Sequence, residues 1–272
     1  YKKYKEIIIP DIPLPFGRQF FRELFFWTKY RFQGKQFDIV HYLQPRIWPS
    51  YFLTYAKKIV FTMHEAGIML NLHHIGIGEH VFRLTNKYLH QRMDAVIAVS
   101  EFGKQEIMQY CHIKPEKVHV IYNGIDEDFV RNSSPLLFDF PYILSVGRLD
   151  PHKNILRLIA AFKSFKNNDG KEKLVLVGGK HIPEYSEKVE ALIRELELET
   201  EVIIAPFIPE SDLSKVYTNA RAVIYPSLHE GFGLPLLEAM KCETPVAASN
   251  VTSLPEIAGG AALLFNPENI EE

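Results

Sequence analysis

Cysteine is scarce in this 272-residue chain: Cys111 and Cys242 are the only two, far apart in sequence and outside any metal-type pair. A disulfide scaffold and a cysteine-based zinc module are thereby excluded, and free thiols in a reducing compartment are expected. No run of 18 apolar residues occurs, so no segment reads as a membrane span, and none reads as a signal peptide. A dominant charge is lacking too. The formal net charge is -2, which removes the global field that a nucleic-acid binder uses. No Gly-x-Gly-x-x-Gly follows a strand, which argues against a dinucleotide-dependent dehydrogenase.

What is present is ordinary globular material, 47% hydrophobic and 24% charged, enough for one large domain or two small ones. The charge is unevenly spread. Residues 1–50 hold nine Lys and Arg against four Asp and Glu, whereas residues 228–272 hold one Lys against seven Glu, so the first segment is the better candidate for a surface contact.

Short apolar runs alternate with helical patterns along the chain. Strands are expected at Glu6–Ile9, Phe37–His41, Lys58–Met63, Ala95–Val99 and Val118–Ile121. Further strands are expected at Tyr142–Val146, Leu174–Val177, Glu201–Ala205, Ala222–Tyr225, Pro245–Ala248 and Ala262–Phe265. These runs are apolar on both faces, the mark of parallel strands covered by helices. Helical spacing fits Asn154–Phe165, Tyr185–Leu196, Ser211–Ala220 and Leu236–Lys241. Repeated βα units imply a doubly wound α/β fold. The polar stretch Asp126–Pro141 breaks the pattern and divides the chain into residues 1–134 and 135–272, two Rossmann-like halves expected to face a cleft.

Two segments carry chemistry. In Gly147-Arg148-Leu149-Asp150-Pro151-His152-Lys153-Asn154 a strand ends in a tight turn and a helix follows, with Arg148 and Lys153 available to meet phosphate oxygens. In His229-Glu230-Gly231-Phe232-Gly233-Leu234-Pro235 a second strand runs into a glycine loop and a helix. Pro235 suits a first helical turn, and the amides and dipole of that helix start favour an anion. Glu230 and Glu238 flank this anion-type site, where each could accept hydrogen bonds from sugar or ribose hydroxyls. Read singly, such loop cations, glycine turns and helix-surface carboxylates are commonplace.

In combination and in order they resemble glycosyltransferase family 4. The carriers are the Glu230-x7-Glu238 signature within Pro226–Pro235, the Gly147–Asn154 loop, Val177-Gly178-Gly179, Ile121–Asp126, Val99–Phe102 and Phe61–Glu65. The resemblance implies a retaining glycosyltransferase of the GT-B fold that moves a hexose, mannose or glucose, from a nucleoside diphosphate sugar without a metal or other cofactor. It implies that Arg148 and Lys153 hold the donor diphosphate with the amides of Gly233 and Leu234, the Gly147, Gly178, Gly231 and Phe232 turns shaping the pocket. Glu238 would bind the ribose, Glu230 and His64 the transferred sugar, and Phe207 and Ile208 would lie along the base. A glycan or lipid-linked acceptor is expected, with no nucleic-acid partner given the net charge and a cytoplasmic location given the free thiols. A nucleotide-sugar epimerase and a non-catalytic sugar-nucleotide-binding subunit are the alternatives.

Two departures from the family pattern, and one further segment, stand out. Glu243 occupies the glycine position of the family's Gly-x-Pro turn, at a strain of about 1–2 kcal/mol if φ is positive there. The opening βα units and closing helices of the family are not recognisable, so the chain reads as clipped at both ends or as an unusually short member. Finally, Phe16–Phe32 places seven aromatic and aliphatic side chains over about half a helix circumference. That face either packs on the sheet or lies at a membrane interface, which would put the protein at the inner face of the membrane with a lipid-linked acceptor. Asp126-Glu127-Asp128 reads as a solvated turn rather than a metal site, and His73, His74, Glu79 and His80 as an acceptor-side loop rather than a zinc site.

Overall fold

The computed structural model describes residues 28–29, 31, 36–43, 54–65, 93–127, 129–132, 137–180, 182–205 and 208–272. The expected strand Glu6–Ile9, Asp128, Phe207, the His73–His80 cluster and all of Phe16–Phe32 except residues 28, 29 and 31 lie outside them. The chain divides into two compact units, Tyr1–Thr62 with Ile75–Val96, and Met63–His74 with Ile97–Glu272.

The described strands are β1 (Phe37–Tyr42), β2 (Ala56–Met63), β3 (Ala95–Ala98), β4 (Val118–Val120) and β5 (Tyr142–Val146), followed by β6 (Lys173–Val177), β7 (Val202–Ile204), β8 (Ala222–Tyr225), β9 (Val246–Ser249) and β10 (Leu263–Phe265). The first sheet has the order β1-β2-β3-β4. β1 and β2 are parallel, with Phe37 opposite Ala56 and Tyr42 opposite Phe61. Lys57 meets Asp38 at 2.8 Å and Lys58 meets Asp94 at 2.7 Å on this edge. Both pairs are solvated and contribute little to stability.

The second sheet has the order β10-β9-β8-β5-β6-β7, and every pair in it is parallel. Its inner strands β5, β6, β8 and β9 are buried or half-buried throughout, as the apolar runs predict, whereas Leu263 and Leu264 of the edge strand β10 are exposed. Leu174 and Leu176 of β6 face one core, with Ile159, Phe162, Val189 and Ile193. Val175 and Val177 face the other, with Tyr142, Leu144, Val223 and Leu236. Helices α2 (Ile155–Asn167) and α3 (Pro183–Glu195) supply the first of these layers; α4 (Glu210–Asn219), α5 (Leu234–Lys241) and α6 (Leu254–Ala258) supply the second.

Helix α1 (Glu101–Cys111) has no counterpart in the expected helices. Its buried residues fall at helical spacing, but they are Gly103, Glu106, Ile107 and Cys111, which hide the apolar signal. Ser100 caps it, accepting from the Gly103 amide at 2.9 Å. The stretch Asp126–Pro141, polar by sequence, is not simply a solvated connection: Phe129 is buried in the second core, and Phe138 and Phe140 pack against it.

Glu243 does have a positive φ, 59°. Its amide donates to Met240 O and the Thr244 amide to Ala239 O, at 2.9 and 3.0 Å. This is the paired ending of a helix that usually has glycine at the left-handed residue. The side chain instead reaches Arg131 at 2.7 Å, on the surface.

Candidate functional site

Strand order in the second sheet reverses between β5 and β8: the chain proceeds from β5 to β6 and β7 on one side, then returns to β8, β9 and β10 on the other. Such a switch point is where open α/β sheets bind ligands, at the carboxyl ends of the strands. The two segments singled out in the sequence follow β5 and β8 directly.

The β5 loop is built on its neighbour. Gly147 donates to Val177 O at 2.7 Å and Leu149 to Gly179 O at 3.0 Å. Gly178, at φ 136°, comes so close that a Cβ there would lie 2.4 Å from the Gly147 carbonyl group. Any side chain would push the two turns apart. The loop then forms a short 3-10 turn, Pro151–Lys153, and Asn154 turns left-handed to start α2. The Asn154 side-chain amide donates to Pro226 O and Pro267 O, at 3.1 and 2.8 Å. The Leu228 amide donates to His152 O at 2.7 Å. The β5 and β8 loops therefore form one hydrogen-bonded platform.

On that platform the two cations differ. Arg148 is half exposed, with its Nε 3.4 Å from Oδ2 of the buried Asp150. Lys153 is largely enclosed. Its Nζ donates to Glu230 Oε1 at 2.5 Å and to the Tyr225 hydroxyl at 3.0 Å, and lysine and glutamate side chains are only 14% and 13% exposed. Burial, and then Glu230, push the Tyr225 phenol well above its ordinary pKa, so it stays protonated. Burial and the Lys153 charge lower the His152 pKa, favouring a neutral imidazole beside the ion pair.

The β8 loop reaches α5 through buried Gly231, Phe232 and Gly233. Gly233 is the N-cap at φ 109°, no side chain caps the helix, and Pro235 occupies its first turn. Leu234, the first helical residue, is exposed. Glu238, one turn further, accepts from the Tyr217 hydroxyl at 2.7 Å, and burial followed by the Glu238 charge raises that phenol's pKa. Ile208 is partly buried against the same core. His64 is exposed at the end of β2, and its backbone carbonyl lies directly against Gly231.

The structure thus brings together Gly147, Arg148, Lys153, Gly178, Glu230, Gly231 and His64, and places Gly233, Leu234 and Glu238 on the adjoining helix. Sequence reasoning did not single out Asp150, His152, Tyr217, Tyr225 or His229 as parts of this neighbourhood. Asp150, His152 and His229 carried a signal, lying within or beside the motif runs. A cavity of about 440 Å³ lies elsewhere, between α2, the strands and the final residues, and neither Arg148, Lys153, Glu230 nor Glu238 lines it.

A parallel sheet with glycine turns, cations and a helix start without a side-chain cap gathered at its switch point defines a doubly wound α/β protein. The model of the family "Glycosyl transferases group 1" matches residues 126–272, and that of "Glycosyltransferase Family 4" matches residues 2–129. The chain belongs to the group 1 glycosyl transferases.

Relatives point the same way. The serotype-specific mannosyltransferase WbdA of Escherichia coli is 32% identical over 193 residues, 67% of this chain and 24% of that protein. The O-antigen chain mannosyltransferase B of Escherichia coli is 30% identical over 201 residues, 70% of this chain and 52% of that protein. The O-antigen chain mannosyltransferase RfbU of Salmonella typhimurium is 30% identical over 250 residues, 84% and 68%. The chain thus spans about a quarter of WbdA and about half of mannosyltransferase B. Among solved structures, the sucrose-phosphate synthase of Thermosynechococcus elongatus matches with a TM-score of 0.75 at 24% identity, covering 96% of this chain and 69% of that one. Anabaena Alr3699/HepE, solved with UDP and glucose, matches at 0.76 and 20% identity, covering 96% and 72%. These likenesses establish the fold as GT-B.

Proposed function

We propose that this chain provides the donor site of a retaining hexosyltransferase, which moves mannose or glucose from a nucleoside diphosphate sugar to a hydroxyl acceptor in glycan or glycolipid biosynthesis. The observation that carries the reading is the platform at the ends of β5 and β8, where Arg148, the Lys153–Glu230 pair and the start of α5 converge. The mannosyltransferase relatives favour the sugar, and the UDP and glucose bound to HepE favour the donor class.

In this reading Arg148, Lys153 and the Gly233 and Leu234 amides meet the charge that builds on the departing diphosphate. The bond between the anomeric carbon and the phosphate oxygen breaks. The acceptor hydroxyl oxygen bonds to that carbon on the same face, and its proton passes to the phosphate oxygen. Glu230 and His64 contact the sugar, Glu238 the ribose, and Phe207 and Ile208 the base. No metal is required, so a chelator leaves turnover unchanged. The acceptor is a glycan or a lipid-linked sugar, the site of action the cytoplasm or the inner membrane face, and the domain boundary falls at 134/135. Membrane contact through Phe16–Phe32 belongs to the same reading, and failure to pellet with anionic liposomes at low salt overturns that part.

A thermal-shift series with UDP, GDP and ADP tests the donor site. Selective stabilisation by one diphosphate is expected, about 2.7 kcal/mol at a hundredfold excess over Kd; stabilisation by none overturns it. Incubation with donor sugar and acceptor then separates a transferase from a binding subunit, and donor alone exposes an epimerase.

A further inference from the structure

Three consecutive residues of the β8 loop are each held by a different neighbour. His229 is buried and points at α1, where its Nε2–H donates to Glu106 Oε1 at 2.8 Å. Its Nδ1 lies 3.9 Å from Glu65 Oε2, and Phe102 meets the ring edge-on at 6.0 Å between centroids. The Glu230 side chain leaves in another direction, to Lys153. The Glu230 amide donates to Thr252 Oγ1 at 3.2 Å, and its carbonyl accepts from Ser253 Oγ at 2.9 Å. The Gly231 carbonyl accepts from Ser100 Oγ at 2.7 Å. A Cβ on Gly231 would stand 1.8 Å from the His64 carbonyl oxygen.

Glu106 is the unexpected member. It is a 6% exposed carboxylate on a helix face, and its second oxygen, Oε2, has no hydrogen-bond partner. An apolar side chain in such a place is commonly as stable or more so. What the carboxylate provides is direction: it fixes the imidazole of His229 in one orientation. The roles proposed for the donor site leave Ser100, Glu106 and His229 without a function.

We infer that Ser100, Glu106 and His229 are positioning residues, which clamp the β8 loop to α1 on both sides of Glu230 and thereby aim its carboxylate. The inference rests on the proposed donor site. With residues 229 and 231 fixed, residue 230 has almost no backbone freedom, and its carboxylate meets Lys153 in a single geometry. A displacement near 1 Å at such a group lowers turnover by about a hundredfold. Of the diphosphate contacts only Lys153 bonds to Glu230, while Arg148 and the start of α5 lie beyond the clamp, so most of the ground-state binding of the nucleotide is kept.

The test uses the full chain and three variants, His229→Leu, His229→Gln and the double variant Glu106→Leu/His229→Leu. The single leucine leaves Glu106 buried and unpaired and is the one prone to misfold. The double variant removes both polar groups together and keeps the helix–loop contact apolar. For it we expect a Tm at or above that of the parent, a loss of nucleoside diphosphate affinity by calorimetry much smaller than the loss of kcat, and kcat lowered about ten- to a hundredfold with little change in donor KM. His229→Gln, whose amide can still donate to Glu106, recovers part of the loss. Parent-like kcat in a folded double variant overturns the clamp and leaves the donor site standing. Diphosphate affinity lost in step with Tm also overturns it, because the pair is then only structural. A parent chain that neither binds a nucleoside diphosphate nor transfers sugar overturns the donor site, and the clamp with it.

Discussion

The loops after β5 and β8 share one build, a buried parallel strand, a glycine turn and a helix, and both rest on close backbone contacts, yet their side chains are held differently. Those of the β5 loop are organised by charge. Arg148 lies by Asp150, and Lys153 is locked to Glu230 with a Tyr225 hydroxyl beside it. The β8 loop is organised by close backbone contact and largely neutral hydrogen bonds, through Ser100, Thr252, Ser253 and the His64 carbonyl. In the proposed donor site, this difference would let a diphosphate be received without burying bare cations. The charges of the first loop are already compensated by carboxylates, which limits the desolvation penalty of the unliganded state. On the proposed reading, the excess attraction would come from backbone dipoles at the start of α5, which are fixed in place and need no counter-ion.

If geometry dominates in the β8 loop, its most sensitive position is Gly231. Gly231→Ala is expected to abolish turnover and lower stability by about 1–3 kcal/mol or more, since backbone atoms must move to admit the methyl group; denaturant unfolding and a transfer assay read both. If charge dominates in the β5 loop, Arg148→Ala lowers turnover about 10²–10³-fold. Its Tm should fall less than that of Gly231→Ala, because the Arg148 side chain is half exposed, although the buried Asp150 loses a cation. Equal losses of Tm in these two variants would erase the distinction between the loops.

Smaller effects sharpen the contrast. At the far end of α5 a glycine is absent where backbone geometry favours one. Glu243→Gly should raise stability by about 1 kcal/mol, the left-handed strain relieved less an exposed ion pair with Arg131 worth under 1 kcal/mol, with turnover unchanged. The smallest effect belongs to His152. Its pKa is held below 6.5 by burial and by Lys153, so the folded state binds the proton less readily than the unfolded chain. Stability is therefore unaffected above pH 6.5 and falls as pH drops below it toward the depressed folded value. The drop in Tm between about pH 7.5 and about pH 5.5 should be smaller in His152→Asn than in the parent.

Much of this was legible in the chain. The strands of the second sheet fall within one or two residues of the apolar runs that announce them, because a strand buried on both faces must be apolar throughout. The glycine turns and Pro235 marked both loops. Helix α1 escaped notice because its inward face carries Gly103 and Glu106, and α6 is only five residues long. The aromatic residues of 129–140 were read through the polar residues around them, although Phe129 belongs to the core.

Local order was set by sequence alone: alternating βα units, the two loop motifs and family membership all follow from residues close together in the chain. The pairings were not. Lys153 and Glu230 are 77 residues apart, and Glu106 and His229 are 123 apart. Periodicity and turn chemistry report the backbone angles of neighbours, whereas an ion pair depends on which strand ends the sheet sets side by side. Only closure of the β5–β8 switch point decides that a lysine read as a phosphate ligand already has a carboxylate, and that a histidine beside the motif is held by a buried glutamate.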